Sequence, residues 1–343
     1  MSQVQGTRSE RADSAPAVPL LRAEHVAVQL DSPDGTLWPV RDISLTLHER
    51  QTVAILGESG SGKSVTSLAL MGLLPRDKFT VSAERMELRG EDLTSVSERG
   101  WRSIRGSRIA MVFQDPQSSL NPVYTVGAQI AETFRLHRGA SRRDARRASI
   151  ELMDRVRIPD AANKFDSYPH EFSGGMRQRV VIAIALALDP EVLIADEPTT
   201  ALDVTVQAQI LDLFKEIARD SSMGTILITH DVAVAATVAD EISVMYAGRL
   251  VESGPTRQLL EHPSHPYTQG LLRAVPNAID ARESLIPIKG SPPNLARIPT
   301  GCAFHPRCPY AQDACTEDRP DLRRVGDDRL SACFFTEEVL AHG

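Results

Sequence analysis

The stretch Gly57-Glu58-Ser59-Gly60-Ser61-Gly62-Lys63-Ser64 decides the fold, because it fits the phosphate-binding pattern G-x-x-x-x-G-K-[ST]. Glycines let the backbone wrap around an anion, and successive N–H groups then point at it. We expect Lys63 to reach the terminal phosphates of a nucleotide and the Ser64 hydroxyl to bind Mg²⁺. An apolar strand at 52–56 precedes the loop and a helix at 65–71 follows it, so a chance glycine-rich turn is a poor explanation.

The composition is that of an ordinary globular protein, with 343 residues, 42% hydrophobic and 24% charged. A net charge of −7 gives no sign of a general nucleic-acid-binding protein. The longest apolar run, Val180–Leu188, has nine residues and is expected to be a buried helix, because it is too short to span a membrane. Residues 1–19 contain charges, Ser and Pro without an apolar core, so we expect a disordered lead-in to a cytoplasmic protein.

Two alternating strands, at 20–30 and 40–47, come before the loop and are separated by a turn at 31–35. Trp38 precedes the second of these strands. Its flat side chain could stack on an adenine ring or pack against the edge of the sheet, and both interpretations stay open.

Polar residues follow two later strands at the edge where open α/β sheets bind their ligands. Gln114 comes after the strand at 109–113, and His230 comes after the strand at 225–229. Each residue alone is weak support for a site, since a single polar residue at a strand end is common. Their shared position relative to the sheet makes them candidates.

The apolar strand Val192–Glu197 ends on two carboxylates, Asp196 and Glu197. Unpaired carboxylates at the edge of a buried strand are costly. We interpret Asp196 as a Mg²⁺ ligand and Glu197 as the base that activates water. A capped strand end would explain either residue alone but not the pair.

A second anion-binding helix start is predicted at Ser173-Gly174-Gly175, ahead of the apolar run at 180–188. Residues 116–172 are expected to be mostly helical, with the basic run at 142–147 on a solvated face. A further helix is expected at 204–219.

In this order, the elements resemble the ATPase subunit of an ABC transporter over about residues 20–255. The residues that carry the resemblance are Gly57–Ser64, Gln114, Ser173-Gly174-Gly175-Met176-Arg177-Gln178, Val192–Glu197, Ala201-Leu202-Asp203 and His230. The element Ser-Gly-Gly-x-x-Gln is the discriminating one, because other phosphate-loop families lack it.

Four further stretches are similar to the D-type ATPase of the dipeptide, oligopeptide and nickel importers. They are Phe113-Gln114-Asp115-Pro116, Ser119-Leu120-Asn121-Pro122, His265-Pro266-Tyr267-Thr268 and Cys302-Ala303-Phe304-His305-Pro306-Arg307-Cys308-Pro309. The resemblance implies an α/β phosphate-loop fold with a RecA-like core sheet, an antiparallel β subdomain and a helical subdomain at about 115–188. A small Cys-rich extension would occupy 256–343.

The resemblance also implies a role for each matching residue. ATP would be held by Gly57, Glu58, Ser59, Gly60, Ser61, Gly62, Lys63 and Ser64, with Trp38 or Leu37 under the adenine. Mg²⁺ would be held by Ser64, Gln114 and Asp196, and catalysis would use Glu197, His230 and Gln114. Ser173, Gly174, Gly175 and Gln178 would contact ATP on the opposite subunit, and Asp203 would link the two sites.

The implied function is ATP hydrolysis that powers import of di- or oligopeptides, with nickel or another small solute as the alternative cargo. The implied partners are a second ATPase subunit, expected to form a heterodimer, and two transmembrane permease subunits. A substrate-binding protein outside the membrane would act indirectly, and the chain would sit on the cytoplasmic face of the inner membrane without nucleic acid.

Other classes of protein fit less well. Soluble ABC ATPases of DNA repair carry long coiled coils and ribosomal ones carry two cassettes, and this acidic chain has neither. A phosphate-loop kinase or GTPase would lack the Ser-Gly-Gly element, and no Asn-Lys-x-Asp element for guanine is present. A subunit that binds ATP without hydrolysing it is not indicated, because Glu197 and His230 are both present.

All four cysteines lie near the C-terminus, at Cys302, Cys308, Cys315 and Cys333. In a cytosolic protein this clustering favours a metal over disulfides. The spacing C-x5-C-x6-C-x17-C lacks the close pair of a zinc knuckle. A [4Fe–4S] cluster is therefore favoured over zinc, with unligated thiols third, and the peptide-importer ATPases are similar in carrying such a cluster. The surrounding Pro-rich region would need a cross-link such as a bound metal in order to fold.

Overall fold

The computed structural model describes residues 18–32, 35–200, 202–274, 287–326 and 328–341. The lead-in expected at 1–19 lies outside the described residues apart from Val18 and Pro19, and so does Ala201 of the stretch 201–203. Within the described ranges, none of the helices combines the length and the apolar character needed to cross a membrane.

The strands are named in chain order. They are β1 (Leu21–Ser32), β2 (Gly35–Leu47), β3 (Thr52–Leu56), β4 (Phe79–Ser82), β5 (Arg85–Leu88), β6 (Glu91–Asp92), β7 (Ile109–Val112), β8 (Val192–Asp196), β9 (Gly224–Thr229), β10 (Glu241–Tyr246), β11 (Arg249–Pro255), β12 (Arg323–Arg324) and β13 (Leu330–Ser331).

The helices are named in the same way. They are α1 (Lys63–Leu70), α2 (Glu98–Ile104), α3 (Pro116–Ser119), α4 (Val126–Arg138), α5 (Arg142–Arg155), α6 (Ala161–Lys164), α7 (Gly174–Leu186), α8 (Val204–Asp220), α9 (Val232–Val238), α10 (Thr256–Glu261), α11 (Pro266–Arg273), α12 (Asp313–Glu317) and α13 (Thr336–Ala341). Two short 3₁₀ helices lie at Pro169–Glu171 and His305–Arg307.

Five strands form a parallel core sheet in the order β10-β3-β9-β8-β7. An antiparallel sheet of β1, β2, β4, β5 and β6 lies beside it. β11 joins the two, because it pairs antiparallel with β10 and parallel with β2. The parallel order places the carboxyl ends of β3, β9, β8 and β7 side by side at one edge, which is where such sheets bind ligands.

Successive side chains of β3 pack into two different hydrophobic cores. Val53 and Ile55 belong to the core that includes β1, β2 and α1, whereas Ala54 and Leu56 belong to the core that includes α4, α5 and α7. This alternation follows from the two-residue period of a strand. It makes β3 apolar on both faces, as is typical of a parallel strand covered on both sides.

The mostly helical region expected at 116–172 is present as several separate helices. Thr125 and Ser141 begin α4 and α5, and their hydroxyls accept hydrogen bonds from Ala128 N (3.3 Å) and Asp144 N (3.2 Å). The Phe165 ring covers Gly127, where a Cβ would lie 2.2 Å from the ring. This close approach packs the turn after α6 onto the start of α4.

Several element boundaries differ from the sequence-based expectations. Ser32 pairs with Gly35, so β1 and β2 include residues 31, 32 and 35 of the predicted turn, and Trp38 lies inside β2. β7 and β8 each end one residue early, and Glu197 leaves the strand because its φ is +45°. The helix start predicted at Ser173-Gly174-Gly175 is confirmed, since Ser173 caps α7, but the helix ends at Leu186, two residues before the end of the apolar run.

A buried carboxylate attaches α11 to the core sheet. Glu252 of β11 is fully buried and accepts hydrogen bonds from Ser264 N (2.7 Å), Ser264 Oγ (2.7 Å) and His265 N (3.0 Å). Burial raises the pKa of Glu252, and these donors oppose the shift. The hydrogen bonds fix the chain just before α11.

We expect Glu252→Ala to lower the free energy of unfolding by about 3 kcal/mol, because it leaves buried donors without an acceptor. Chemical denaturation of the full chain measures this. The matched control is Glu261→Ala, which removes a carboxylate that is 52% exposed and paired with Arg257. The control should change stability by less than about 1 kcal/mol. Equal losses in the two variants would contradict the role of Glu252.

Candidate nucleotide-binding site

The phosphate loop, residues 57–64, lies between β3 and α1 and is pressed from two sides by backbone carbonyls. A Cβ on Gly62 would lie 2.2 Å from Pro39 O, and one on Gly57 would lie 2.3 Å from Met245 O. Gly62 also has a φ of +106°, which side chains rarely adopt. The glycines are therefore required by packing as well as by the wrapped path of the chain.

The Lys63 ammonium lies inside this loop. Its Nζ donates to Gly57 O at 2.8 Å and to Glu58 O at 3.0 Å, and the residue is buried. Burial lowers the pKa of Lys63, while the carboxylates of Glu197, Asp196 and Glu58 act in the opposite direction. The ammonium thus sits at the centre of the loop, between its carbonyls and the acidic ends of the core strands.

Ser64 and Asp196 bring two oxygens together at the start of α1. The Ser64 hydroxyl donates to Asp196 Oδ1 at 3.2 Å. Asp196 is the last residue of β8, and burial is the main cause that raises the pKa of its carboxyl group. A hydroxyl and a carboxylate suit Mg²⁺, which takes few protein ligands and completes its shell with phosphates and water.

Three polar side chains contact the same oxygen of the Glu197 carboxylate. Gln114 Nε2 (3.0 Å) and Thr200 Oγ1 (2.9 Å) donate to Oε2, and His230 Nδ1 lies 3.1 Å from the same atom. These residues follow β7, β8 and β9, so the strand order produces the meeting. The left-handed backbone of Glu197 turns its side chain toward them and is anchored by a hydrogen bond from Glu197 N to Ile228 O.

The arrangement can bind a phosphate chain and act on a water next to it. An ammonium and the backbone N–H groups of the loop suit an anion, a hydroxyl and a carboxylate suit a divalent cation, and a second carboxylate can accept a proton. The predicted residues Lys63, Ser64, Asp196, Glu197, Gln114 and His230 all lie in this one place.

Comparisons with known proteins agree with this geometry. The ABC transporter family matches residues 40–200, and the oligopeptide/dipeptide transporter C-terminal region matches residues 251–315. A Brucella abortus (strain 2308) protein named as a peptide import ATP-binding protein is 48% identical over 334 residues, which cover 94% of this chain and 99% of that protein. A Brucella ovis protein of the same description is 51% identical over 313 residues, 88% of this chain and 93% of that protein.

This chain belongs to the ABC transporter ATPases. Two solved members confirm the predicted ABC ATPase fold, and the Cys-rich extension stays a prediction. The dimeric ATP-binding cassette MJ0796, bound to ADP and Pi in a post-hydrolysis state, has a TM-score of 0.60 and 25% identity over 69% of this chain and 99% of its own. The cbiO1 subunit of the cbiONQ transporter from Clostridium perfringens has a TM-score of 0.61 and 27% identity over 71% of this chain and 91% of its own.

In this ABC ATPase, the Ser173-Gly174-Gly175 element lies apart from the phosphate loop. Ser173 caps α7 by accepting a hydrogen bond from Met176 N at 3.4 Å, and Ser173 and Gly174 are exposed. In the part of the chain that the structure describes, no hydrogen bond joins them to residues 57–64. Gly175 is buried against α8, where a Cβ would lie 2.4 Å from Val206 Cγ1.

Three other predicted site residues have local roles that the structure defines. The carboxylate of Asp203 caps α8 by accepting a hydrogen bond from Val206 N at 2.9 Å. Gln178 is buried in α7, and its Nε2 has no hydrogen-bond partner. Trp38 is 39% exposed in β2, and the carbonyl of the next residue, Pro39, packs on Gly62.

The sequence analysis missed three residues of the site region. Thr200 donates to Glu197, Tyr267 OH accepts from Glu58 N at 2.8 Å, and Arg307 pairs with the Glu58 carboxylate. Thr200 lies three residues after the predicted base, which could have indicated it. Tyr267 and Arg307 are more than 200 positions from Glu58, so no local pattern points to those contacts.

The four cysteines are free thiols that line one small cavity with Phe304, Tyr310 and Phe334 among its other walls. Burial raises the pKa of Cys308 to about 12 and that of Cys333 to about 11, and the neighbouring sulfurs add to both shifts. The donor count fits either an Fe–S cluster or zinc. As placed, no three His, Cys, Asp or Glu side chains of the described residues form a group that could hold a metal ion.

We expect Gly62→Ala to abolish Mg–ATP binding, because the added methyl group would meet the Pro39 carbonyl and must also adopt a positive φ. Isothermal titration of the purified chain measures the affinity. The control is Gly60→Ala, where φ is +80° but no atom lies within 4 Å of the added Cβ. It should keep measurable binding and cost only about 1 kcal/mol of strain. Equal losses would show that backbone strain, and not the Pro39 contact, requires Gly62.

Proposed function

We propose that this chain is the ATP-hydrolysing subunit of an ABC importer that carries di- or oligopeptides across a membrane. The observation that carries the proposal is the single cluster at the carboxyl edge of the sheet, where Glu197 meets Gln114 and His230 beside Lys63 and Asp196. The peptide cargo is supported by the match to the oligopeptide/dipeptide transporter C-terminal region and by the names of the Brucella relatives.

In this proposal the loop residues Gly57–Ser64 hold the ATP phosphates through backbone N–H groups, and Lys63 neutralises the terminal ones. Ser64, Asp196 and Gln114 would hold Mg²⁺, which would supply positive charge next to the phosphates. Glu197 orients and deprotonates the attacking water, and His230 contacts the γ-phosphate. Trp38 stacks on the adenine ring. Each of these groups is already within hydrogen-bonding distance of another member of the set, apart from Trp38.

The complete site is proposed to need a second ATPase subunit, expected to be a different chain. The exposed Ser173 and Gly174, with Gly175 and Gln178 behind them, would cover the ATP held by that partner, and Asp203 would link the two sites. The exposure of the α7 start and its separation from the chain's own phosphate loop support this. The printed description of MJ0796 as a dimeric cassette supports it as well.

The transport machinery is proposed to comprise two membrane permease subunits, with a substrate-binding protein acting indirectly from the other side. The chain would sit on the cytoplasmic face, with residues 20–255 as the ATPase domain and 256–343 as the extension. The helical subdomain at about 115–188 would contact the permeases. Gln114 supports a connection from the site to this subdomain. It donates a hydrogen bond to Glu197 and directly precedes Asp115, which caps α3.

With its permeases and substrate-binding protein in liposomes, the chain should hydrolyse ATP faster when a peptide mixture is present. Phosphate release measures the rate. Glu197→Gln should reduce it at least about 100-fold and leave ATP bound, because proton abstraction is lost while phosphate binding is kept. The control Glu261→Gln changes a carboxylate that is 52% exposed on α10, outside the helical subdomain, and should leave the rate unchanged.

Two results would contradict parts of this proposal. Stimulation by Ni²⁺ without stimulation by peptides would make the cargo assignment wrong. Hydrolysis by Glu197→Gln at the wild-type rate would make the assignment of the base wrong.

We further propose that Cys302, Cys308, Cys315 and Cys333 hold a [4Fe–4S] cluster with a structural role, with zinc as the alternative. Their convergence on one cavity supports the assignment, although the thiols are not arranged as a ligand group. Such a cluster would cross-link a Pro-rich segment that has little regular structure.

Protein purified without oxygen should absorb near roughly 400 nm and contain about four iron atoms per chain. Cys308→Ser should lower the iron content and the melting temperature, because thiolate ligation is lost. Thr316→Ala, an exposed change next to Cys315, is the control and should retain the iron. Elemental analysis showing one zinc and no iron would favour the alternative, and no metal at all would contradict both.

A further inference from the structure

Arg307 lies between two of the cysteines and reaches the phosphate loop. Its Nη1 and Nη2 donate to the two carboxylate oxygens of Glu58, at 2.6 Å and 3.0 Å. Its Nε donates to Lys289 O at 3.0 Å, so the guanidinium is also tied to the segment from which it comes. We call the described residues 287–326 and 328–341 the cysteine segment.

The pair is shielded from water. The Arg307 side chain is 5% exposed and that of Glu58 is 28% exposed. The guanidinium carbon lies 5.9 Å from the ring centres of both Tyr246 and Phe304. A two-pronged, charge-assisted pair in such surroundings is stronger and more directional than one on the surface. The pKa of Arg307 is raised, chiefly by the hydrogen bonds to Glu58.

A second contact holds the backbone of the same loop residue. Glu58 N donates to the hydroxyl of Tyr267, which is fully buried in α11, at 2.8 Å. Phe304 of the cysteine segment packs against Tyr267 and Tyr246, with ring centres 5.4 Å and 5.3 Å away. The side chain and the amide of Glu58 are therefore both held by residues that come after the core sheet in the chain.

The other side of Glu58 faces the nucleotide site. Its carbonyl oxygen accepts the hydrogen bond from Lys63 Nζ at 3.0 Å. A continuous series of contacts thus runs from the cysteine segment through Arg307 and Glu58 to the ammonium at the centre of the phosphate loop. Because the amide and the carboxylate of Glu58 are both held, its carbonyl has little freedom to rotate away from the Lys63 ammonium.

We propose that Arg307 is a positioning residue for ATP binding, which acts through Glu58 to fix the second residue of the phosphate loop. The inference rests on the proposed nucleotide function of the loop. In this role the cysteine segment supports the nucleotide site. The phosphate loop takes the conformation that binds ATP only when the cysteine segment packs against it through Arg307. Arg307 itself touches no reacting atom.

The competing role for Arg307 is to hold the cysteine segment together without affecting the loop. The two roles differ in how substitutions combine. If Arg307 acts through Glu58, removing both partners costs no more ATP affinity than removing one, because the second change has nothing left to disrupt. If Arg307 does not act through Glu58, the fold-losses in ATP affinity of the two single variants multiply in the double variant.

The test measures the Kd of Mg–ATP for the full-length chain and for Arg307→Gln, Glu58→Gln and the double variant. We expect each single change to weaken binding about tenfold, and the double variant to match the single ones. Arg307→Lys, which keeps the charge but not the two-pronged contact, should lie in between. The control is Arg319→Gln in the same segment, whose partner Asp321 is 87% exposed, and it should leave the Kd unchanged.

A second measurement needs no nucleotide. Hydrogen exchange of the amides at 58–63 should be faster in Arg307→Gln and Glu58→Gln than in the wild type, with the Arg319→Gln chain unchanged. If Arg307→Gln does not fold, both measurements are made on Glu58→Gln and Arg307→Lys. The first variant keeps Arg307 itself, and the second keeps its positive charge.

Two outcomes would overturn the proposal: multiplicative losses in the double variant, or unchanged Kd and exchange in the single ones. Failure of the wild-type chain to bind Mg–ATP would instead contradict the proposed function. The exchange measurement would still decide whether Arg307 holds the loop.

Discussion

The buried ammonium of Lys63 is the constraint on which the rest of the site depends. A lysine with so little contact with water stays charged only if oxygens surround it. Two of these oxygens are loop carbonyls, and the carboxylates of Asp196 and Glu197 supply the opposing charge. The loop can bring its carbonyls inward only because it has glycines where β2 and β10 press on it. The parallel sheet in turn places β9 beside β3 and β8 beside β9, so that the acidic end of β8 lies on the same edge as the loop.

The parts of the site that are local in sequence could be predicted from it. The phosphate loop between a strand and a helix, and the carboxylates at the end of β8, follow from short patterns with a direct physical meaning. The meeting of Gln114, Thr200 and His230 on one oxygen of Glu197 could not be derived in this way, because it depends on the lateral order of β7, β8 and β9. The family resemblance supplied the roles, and the strand order explains why those residues meet.

Boundaries and long-range contacts were the least predictable features. The early start of β2 comes from its pairing with β1, which continues through Leu37 and Thr36 to Gly35 although the side chains there do not alternate in burial. The spacing of the cysteines carried no information on their distance in space, yet all four line one cavity. The contact between Arg307 and Glu58 joins two stretches that the sequence analysis treated as separate modules.

The division of β3 between two hydrophobic cores has a mechanical consequence. Alternate side chains of β7, β8 and β9 divide between the same two cores, so the antiparallel sheet and the helical layer share the whole parallel sheet as their wall. Any tilt of one layer against the other must shear across that wall. The strands of that wall end just before Gly57, Gln114, Glu197 and His230, so relative motion of the two layers reaches the nucleotide site through all four strand ends.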